Sequence, residues 1–413
     1  MNKKILLATG FAAAVISLSG FIIRKNLVKK ADLRLPAGFS ATIVADSLGP
    51  VRHIAVTGSG DVYVKLNALR KGKGIYFLSD TNHDGRLDKK LAFANYPGTG
   101  VKIKDHYLYS ASNTGIFRYK LNGKDEVIDT ENPEVIVQGL VDHAHDNSKS
   151  MVLDDQGNLF LTIGSWSDAC RQRGSGQGIP GCPILDSAAG IWKFKANKFN
   201  QAFSDGIHYA KGIKNAVGID INPVTKAVFA TQHGRGSFDD KFPQYYTPKQ
   251  SAELPAETVY ELHEGLDAGW PFAYYDQIQK KKMLAPEYGG DGKTSTDKYA
   301  DPAVAFPGHM APNDLLFYTG SMFPKRYKNG IFVALHGQSA SPKKGYLVAF
   351  IPFVNGKVSG DWEVFADNFA GTDIEHPSGP IKYRPMGLAQ GPDGALYVAD
   401  DLKGAIFKIV YKK

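Results

Sequence analysis

With 413 residues, 43% of them hydrophobic, and 44 Gly, 20 Tyr and 23 Phe, the chain has the material for a large core made of many short strands and tight turns. Its formal charge of +8 does not mark a nucleic-acid binder, because Lys and Arg are scattered, with their densest runs beside the N-terminal apolar segment and in a loop. Two cysteines without further ligands at suitable spacing make no zinc site and form no Cys-x-x-Cys-His haem motif, so if the chain were an oxidoreductase its electrons would leave to a separate carrier.

The N-terminus reads Asn2-Lys3-Lys4, then a largely apolar run over residues 5–23, then Arg24-Lys25 and Lys29-Lys30. A basic start followed by 19 such residues is an export signal or a retained membrane anchor. Residues 1–32 are therefore set apart as a hydrophobic signal or anchor helix, and residues 33–413 are expected to form one extracytoplasmic domain, periplasmic in a cell with two membranes.

Six segments repeat a turn residue followed by alternating apolar positions with an aromatic. They are Gly60-Asp61-Val62-Tyr63-Val64, Asp105-His106-Tyr107-Leu108-Tyr109, Gly157-Asn158-Leu159-Phe160-Leu161, Lys226-Ala227-Val228-Phe229-Ala230, Asn329-Gly330-Ile331-Phe332-Val333 and Gly394-Ala395-Leu396-Tyr397-Val398. Period two with turn punctuation predicts half-buried strands. Further strands are expected to start at Gly115, Gly190 and Gly404. An all-β propeller fits this organisation, with a β-sandwich or separate sheet domains as the alternative.

Between the first two repeats, Asp80-Thr81-Asn82-His83-Asp84-Gly85-Arg86-Leu87-Asp88 alternates oxygen-bearing side chains around a sharp-turn Gly, the pattern of a calcium loop. Asp80, Asn82, Asp84 and Asp88 are its candidate ligands. The loop position that carries Glu in an EF-hand is Leu91, and an Asx-rich turn is the alternative. Cys170 and Cys182 flank a Gly-rich stretch and are expected to form a disulfide.

Four segments can carry chemistry. His143-Ala144-His145-Asp146-Asn147-Ser148-Lys149-Ser150 brings two imidazoles and a cation to the start of a strand. Lys214-Asn215 precedes an alternating strand and Gln232-His233-Gly234-Arg235 follows one, so the two clusters are expected on one rim, where a small anion fits. His336 and Arg384 lie in later segments of similar kind. Insertions near residues 241–257 and 277–299 are expected to flank the site mouth.

In this order, and with Gly269-Trp270-Pro271, these segments resemble the quinoprotein sugar dehydrogenases of the glucose/sorbosone dehydrogenase family, from about residue 35 to residue 411. The resemblance implies a six-bladed propeller of four-stranded antiparallel blades that oxidises an aldose or sorbosone with pyrroloquinoline quinone (PQQ) and Ca²⁺. It implies His145 as general base, with Lys214 and Asn215 polarising the quinone. Gln232, His233, His336 and Arg384 then hold the cofactor, and the carbonyls of Gly234 and Arg235 ligate Ca²⁺. The partners implied are a small sugar and a quinone or cytochrome acceptor. Lys214 stands where the family has Arg, losing the fork of donors, and Met386 removes a cation. A metal-dependent propeller lactonase and a non-catalytic carbohydrate-binding envelope propeller are the competing readings, since propellers host many functions.

Overall fold

The computed structural model describes residues 28–143, 145–338, 344–376 and 378–412, so the expected signal or anchor over residues 5–23 lies outside the described residues. Six antiparallel sheets follow one another along the chain. Blade 1 runs Val51–Val56, Val62–Arg70, Lys73–Ser79 and Asp88–Phe93, and blade 2 runs Val101–Lys104, Tyr107–Ala111, Gly115–Lys120 and Glu134–Gln138. Blade 3 comprises Met151–Leu153, Asn158–Ile163, Gly190–Lys195 and Ile207–Lys211; blade 4 comprises Ile219–Ile221, Val228–Gln232, Glu257–Leu262 and Val304–Phe306. Blade 5 comprises Pro312–Phe317, Ile331–Leu335, Leu347–Ile351 and Glu363–Ala366. Blade 6 takes Pro385–Gln390, Leu396–Asp400 and Ile406–Tyr411 from the C-terminal end and its outer strand, Phe39–Ala45, from near the N-terminal end.

The first strands of the six blades neighbour one another in sequence order and return to the start, which makes the molecule a closed six-bladed propeller around one axis. Glycine permits this close approach at two points. A Cβ on Gly218 would lie 2.6 Å from the Leu315 amide nitrogen, and one on Gly387 would lie 2.5 Å from the Arg52 carbonyl oxygen.

The six repeats read from the sequence are the second strands of the six blades. They differ from expectation in burial. Ile331–Leu335 and Leu396–Asp400 are buried at every position instead of alternating. The reason is stacking: each blade is covered on both faces by its neighbours, so the core is divided into inter-blade layers. Tyr63, Phe77 and Phe93 of blade 1 meet Val101, Leu108 and Tyr119 of blade 2, and corresponding clusters join the other five pairs.

The expectation of four strands per blade holds for three blades only. Blades 2 and 3 gain a parallel edge strand, Gln201–Ala202 and Leu266–Asp267, while Lys29–Lys30 extends blade 6. Each parallel segment leaves one blade to pair with the preceding one. Gln201 tightens its strap by donating from Nε2 to the carbonyls of Ile136, Lys195 and Lys198 at 3.2, 2.7 and 2.8 Å.

The disulfide between Cys170 and Cys182 is formed. The insertions near residues 241–257 and 277–299 pack on each other through Phe238, Phe242, Tyr246, Leu254, Tyr274 and Met283. The expected calcium loop is the turn after Lys73–Ser79, and it uses its oxygens on itself. Asp80 accepts the amides of Asp84 and Gly85 at 3.1 and 2.9 Å, Asn82 accepts that of Asp84 at 3.0 Å, and Asp84 accepts that of Arg86 at 2.8 Å. These bonds are those of an Asx-rich turn, and among the described residues no group of three or more His, Cys, Asp or Glu could hold a metal ion.

Closure of the ring depends on Phe39, whose ring meets Phe323, Tyr327, Phe365 and Tyr411 at centroid distances of 4.8 to 5.5 Å. Phe39→Ala is expected to cost about 2–4 kcal/mol, as large-to-small changes in packed aromatic clusters do, read from the urea midpoint. An unchanged midpoint removes Phe39 from the closure.

Candidate functional site

In each blade the chain enters the first strand, and leaves the second, at the same end of the ring. Lys214-Asn215 stands just before Ile219–Ile221, and Gln232 ends Val228–Gln232 beside it. The two are pinned together, since Gln232 Oε1 accepts the Lys214 amide at 3.0 Å and the Asn215 carbonyl accepts the His233 amide at 2.9 Å. The shared rim expected from the sequence is present. At its centre lies a cavity of about 450 Å³ whose wall includes Arg52, Asp146, Asn215, His233, Asn313 and His336.

Asp146 organises one side of this cavity. Its carboxylate accepts from Lys214 Nζ at 2.7 Å and from Asn215 Nδ2 at 3.2 Å, and Lys214 also meets Asp168 at 3.2 Å. Burial would push the Lys214 pKa down, but Asp146 and Asp168 more than offset it, and the net shift is upward. Burial likewise raises Asp168, and Lys214 with the Gly236 amide outweighs it, leaving the carboxyl low. Asp146 holds a left-handed backbone, φ 46°, which Asp tolerates better than most residues. Its loop rests against Gly164, where a Cβ would lie 2.1 Å from the Asp146 carbonyl oxygen and 2.7 Å from Asn215 Oδ1.

Two polar atoms here are buried without a partner among the described residues, Asn215 Oδ1 and His233 Nε2. Both belong to residues that line the cavity, and a buried polar atom left unmet costs about 1–3 kcal/mol, so a ligand that reaches either one gains from it. Burial lowers the His233 pKa to about 4, so its ring is neutral at neutral pH and can offer one donor or one acceptor. Glu257 braces the same loop from behind, accepting the Gly234 and His309 amides at 3.1 Å each. Burial raises its pKa to about 7 against the pull of those amides and of Lys214.

Across the cavity, Asp401 accepts from His336 Nε2 at 3.0 Å and from Arg384 Nε and Nη2 at 3.1 and 3.2 Å. Arg52 is different. Its guanidinium donates only to hydroxyls, to Thr99 at 3.3 Å and Ser148 at 2.9 Å, and among the described residues no carboxylate lies within 4 Å of it. Asp401 reaches it only through space, so its guanidinium has no carboxylate in direct contact.

The expected residues separate into three groups. Asn215, His233 and His336 line the cavity, while Lys214, Gln232 and Arg384 stand behind the wall and orient it. His145 is not among the lining residues: its side chain is 65% exposed, with Nδ1 3.5 Å from Asp146 Oδ2, while His143, tilted against Trp166 with ring centroids 3.9 Å apart, lines the cavity. The loop reverses at Asp146, which turns the aspartate rather than His145 inward. Arg235 turns its side chain away to the buried Glu287 and over the Phe238 ring at 4.6 Å. No hydrogen bond among the described residues ends on the carbonyl oxygens of Gly234 or Arg235, and neither residue is among those lining the cavity. Arg52, Asp146, Asp168, Glu257 and Asp401 were missed by sequence reasoning. A usable signal existed for Asp401, which follows the sixth repeat as His233 and His336 follow the fourth and fifth.

A family model described as TrAA12-like matches residues 33–412. Among curated proteins, an uncharacterised protein of Borreliella burgdorferi is 26% identical over 207 residues, covering 49% of this chain and 48% of that protein. Aldose sugar dehydrogenase YliI of Escherichia coli is 25% identical over 204 residues, covering 49% and 43%. The matches thus span less than half the length of these curated relatives. In three dimensions the holo form of the PQQ domain of pyranose dehydrogenase from Coprinopsis cinerea superposes with a TM-score of 0.72 at 18% identity, over 92% of this chain and 97% of that one. The calcium structure of the Trichoderma reesei family AA12 enzyme superposes with a TM-score of 0.73 at 15% identity, over 94% and 100%. At these identities the superpositions establish the fold.

The raised pKa of Glu257 has a stability consequence. The unfolded side chain deprotonates near 4.5 and the folded one near 7, so folding becomes less favourable as pH rises between those values and is unaffected by this group above them. Between pH 5 and pH 8 the wild type is expected to lose about 2–3 kcal/mol more than Glu257→Gln, at 1.36 kcal/mol per pKa unit. Parallel pH curves in denaturant titrations would refute this.

Proposed function

This chain belongs to the TrAA12-like family, and on that premise we propose that it is a sugar oxidoreductase whose axial cavity binds PQQ with a calcium ion. The observation that carries the reading is a set on the cavity wall: the Arg52 guanidinium, with no carboxylate in direct contact, and Asn215 Oδ1 and His233 Nε2, without a hydrogen-bond partner among the described residues. A planar quinone bearing carboxylates answers each of these, an anion for Arg52 and polar ring atoms for Asn215 and His233. The cavity volume of about 450 Å³ lies within the usual range for small-molecule sites. His336, oriented by Asp401, completes the wall. The carbonyls of Gly234 and Arg235 suit a hard cation, whose remaining oxygens would have to come from the ligand or water.

When bound, PQQ supplies the two-electron acceptor for the hydride that leaves the sugar carbon. The chain's own task is to take the proton from the adjacent hydroxyl. Asp146 is better placed for this than His145, because it faces the cavity with Lys214 and Asn215 as fixed donors. Lys214 Nζ at 2.7 Å and Asn215 Nδ2 at 3.2 Å hold the Asp146 carboxylate in one orientation on the wall. Export of the enzyme, an aldose or sorbosone as substrate, and a quinone or cytochrome as acceptor belong to the same proposal. The apolar run over residues 5–23 supports export and the name of the Escherichia coli relative supports an aldose, while sorbosone and the acceptor rest on the sequence resemblance alone.

The test is dye reduction by the protein reconstituted with PQQ and CaCl₂, across a panel of aldoses and sorbosone, with PQQ binding followed separately by absorbance. Asp146→Asn is expected to lose at least ~100-fold in turnover, the lower range for a general base, while His145→Ala stays within a few-fold of wild type. Arg52→Ala is expected to weaken PQQ binding at least ~10-fold, as loss of a charge-assisted contact does. Absence of PQQ binding would end the quinoprotein reading in favour of the lactonase or carbohydrate-binding ones. The reverse pattern at His145 and Asp146 would restore the histidine.

A further inference from the structure

A second cleft, of about 350 Å³, opens at the rim of blade 6, outside the axial cavity. Its floor is apolar, formed by Ala31, Leu33, Ile43 and Phe407. Four lysines stand around it, Lys29 and Lys30 on the outermost strand and Lys382 and Lys403 on two loops, against a single acidic lining residue, Asp32. All four lysines are exposed, and among the described residues none forms an ion pair. Lys382 is laid across the cleft by Gly371, where a Cβ would lie 2.3 Å from its Cδ. Leu402, next to Lys403, is an apolar side chain left 44% exposed.

Unpaired cations converging on an apolar opening, beside a leucine exposed to solvent, have the chemistry of a surface that meets anionic lipid. The lysines would meet phosphate headgroups, while the floor and Leu402 take acyl carbon. Each lysine near such a surface contributes on the order of 1 kcal/mol, so four suffice for reversible binding and a second signal is needed for firm attachment. The sequence carries that second signal in the same place: the apolar run over residues 5–23 and Arg24-Lys25 lead directly into Lys29–Lys30. We infer that the cleft and its four lysines form a docking surface for an anionic phospholipid membrane. The orientation this imposes bears on function. Lys382 and Lys403 lie two residues from Arg384 and Asp401, whose ion pair stands at the cavity end of the ring, so docking presents the cavity mouth to the bilayer.

All six blades and the closing strand lie within residues 29–411, so residues 28–413 can be tested without the apolar run. Sedimentation with vesicles of phosphatidylcholine and phosphatidylglycerol, 3:1 by mole, is compared with vesicles of phosphatidylcholine alone. Binding is expected only to the anionic vesicles. It is expected to weaken about 30-fold in Lys382→Ala/Lys403→Ala, following the contribution per lysine above, and less than twofold in Lys249→Ala/Lys357→Ala, which removes the same charge from blades 4 and 5. An unchanged circular dichroism spectrum shows that each variant is folded. Equal loss in the two double variants would reduce the effect to net charge, and equal binding to both kinds of vesicle, or to neither, would also overturn the docking surface. None of these outcomes depends on whether the cavity binds PQQ.

Discussion

Everything in this molecule depends on the ring closing. The strand Phe39–Ala45 must return across the whole length of the chain to pair with Ile406–Tyr411, and until it does so blade 6 lacks its outer strand and the layer against blade 1 has one open side. Closure is also what makes the axis a site. The six first strands start side by side only when the circle is complete, and residues far apart in sequence, such as Arg52, Asp146, Asn215 and His336, then share one wall. A propeller of this kind has no sheet left with two free faces, which is why its second strands are buried at nearly every position, save where Val62–Arg70 runs on past the blade.

The cavity combines two treatments of charge. Lys214, Asp146 and Asp168 are matched to one another before any ligand arrives, as are Arg384, His336 and Asp401. These groups fix geometry, because a buried charge with its partner already in place has little to gain by moving. Arg52, His233 and Asn215 are the opposite case: Arg52 donates only to hydroxyls, and the single atoms Asn215 Oδ1 and His233 Nε2 lack a hydrogen-bond partner among the described residues, although both side chains are held at their other polar atoms. The first set is scaffold and the second is appetite. The substitution of Lys for Arg at position 214 looks different in this light, since its ammonium is already committed to two carboxylates and a fork of donors is not needed for that.

The loop before blade 3 shows what local sequence leaves open. Two histidines in His143-Ala144-His145 attract the eye as bases, yet the backbone reverses at Asp146 and carries His145 outward. Which residue of a short polar run faces inward is set by where the loop is pinned, here by Gly164 and Asn215, and neither pin is adjacent in sequence. Arg235 makes the same point, since its guanidinium is drawn to Glu287, a residue supplied by a distant insertion.

The sequence by itself determined the strand class, the count of six repeats, the disulfide pair and the segments that border the site, because alternation, turn residues and spacing are local properties that each stretch of chain carries with it. The tertiary structure alone decided burial, partnership and direction: that the repeats are covered on both faces, that the oxygens of the Asp80 turn serve its own amides, that Asp146 faces the cavity, and that Arg52 has no carboxylate in direct contact. Those properties belong to pairs of residues brought together by ring closure, with separations such as the 68 residues between Asp146 and Lys214, and no window of sequence contains both members.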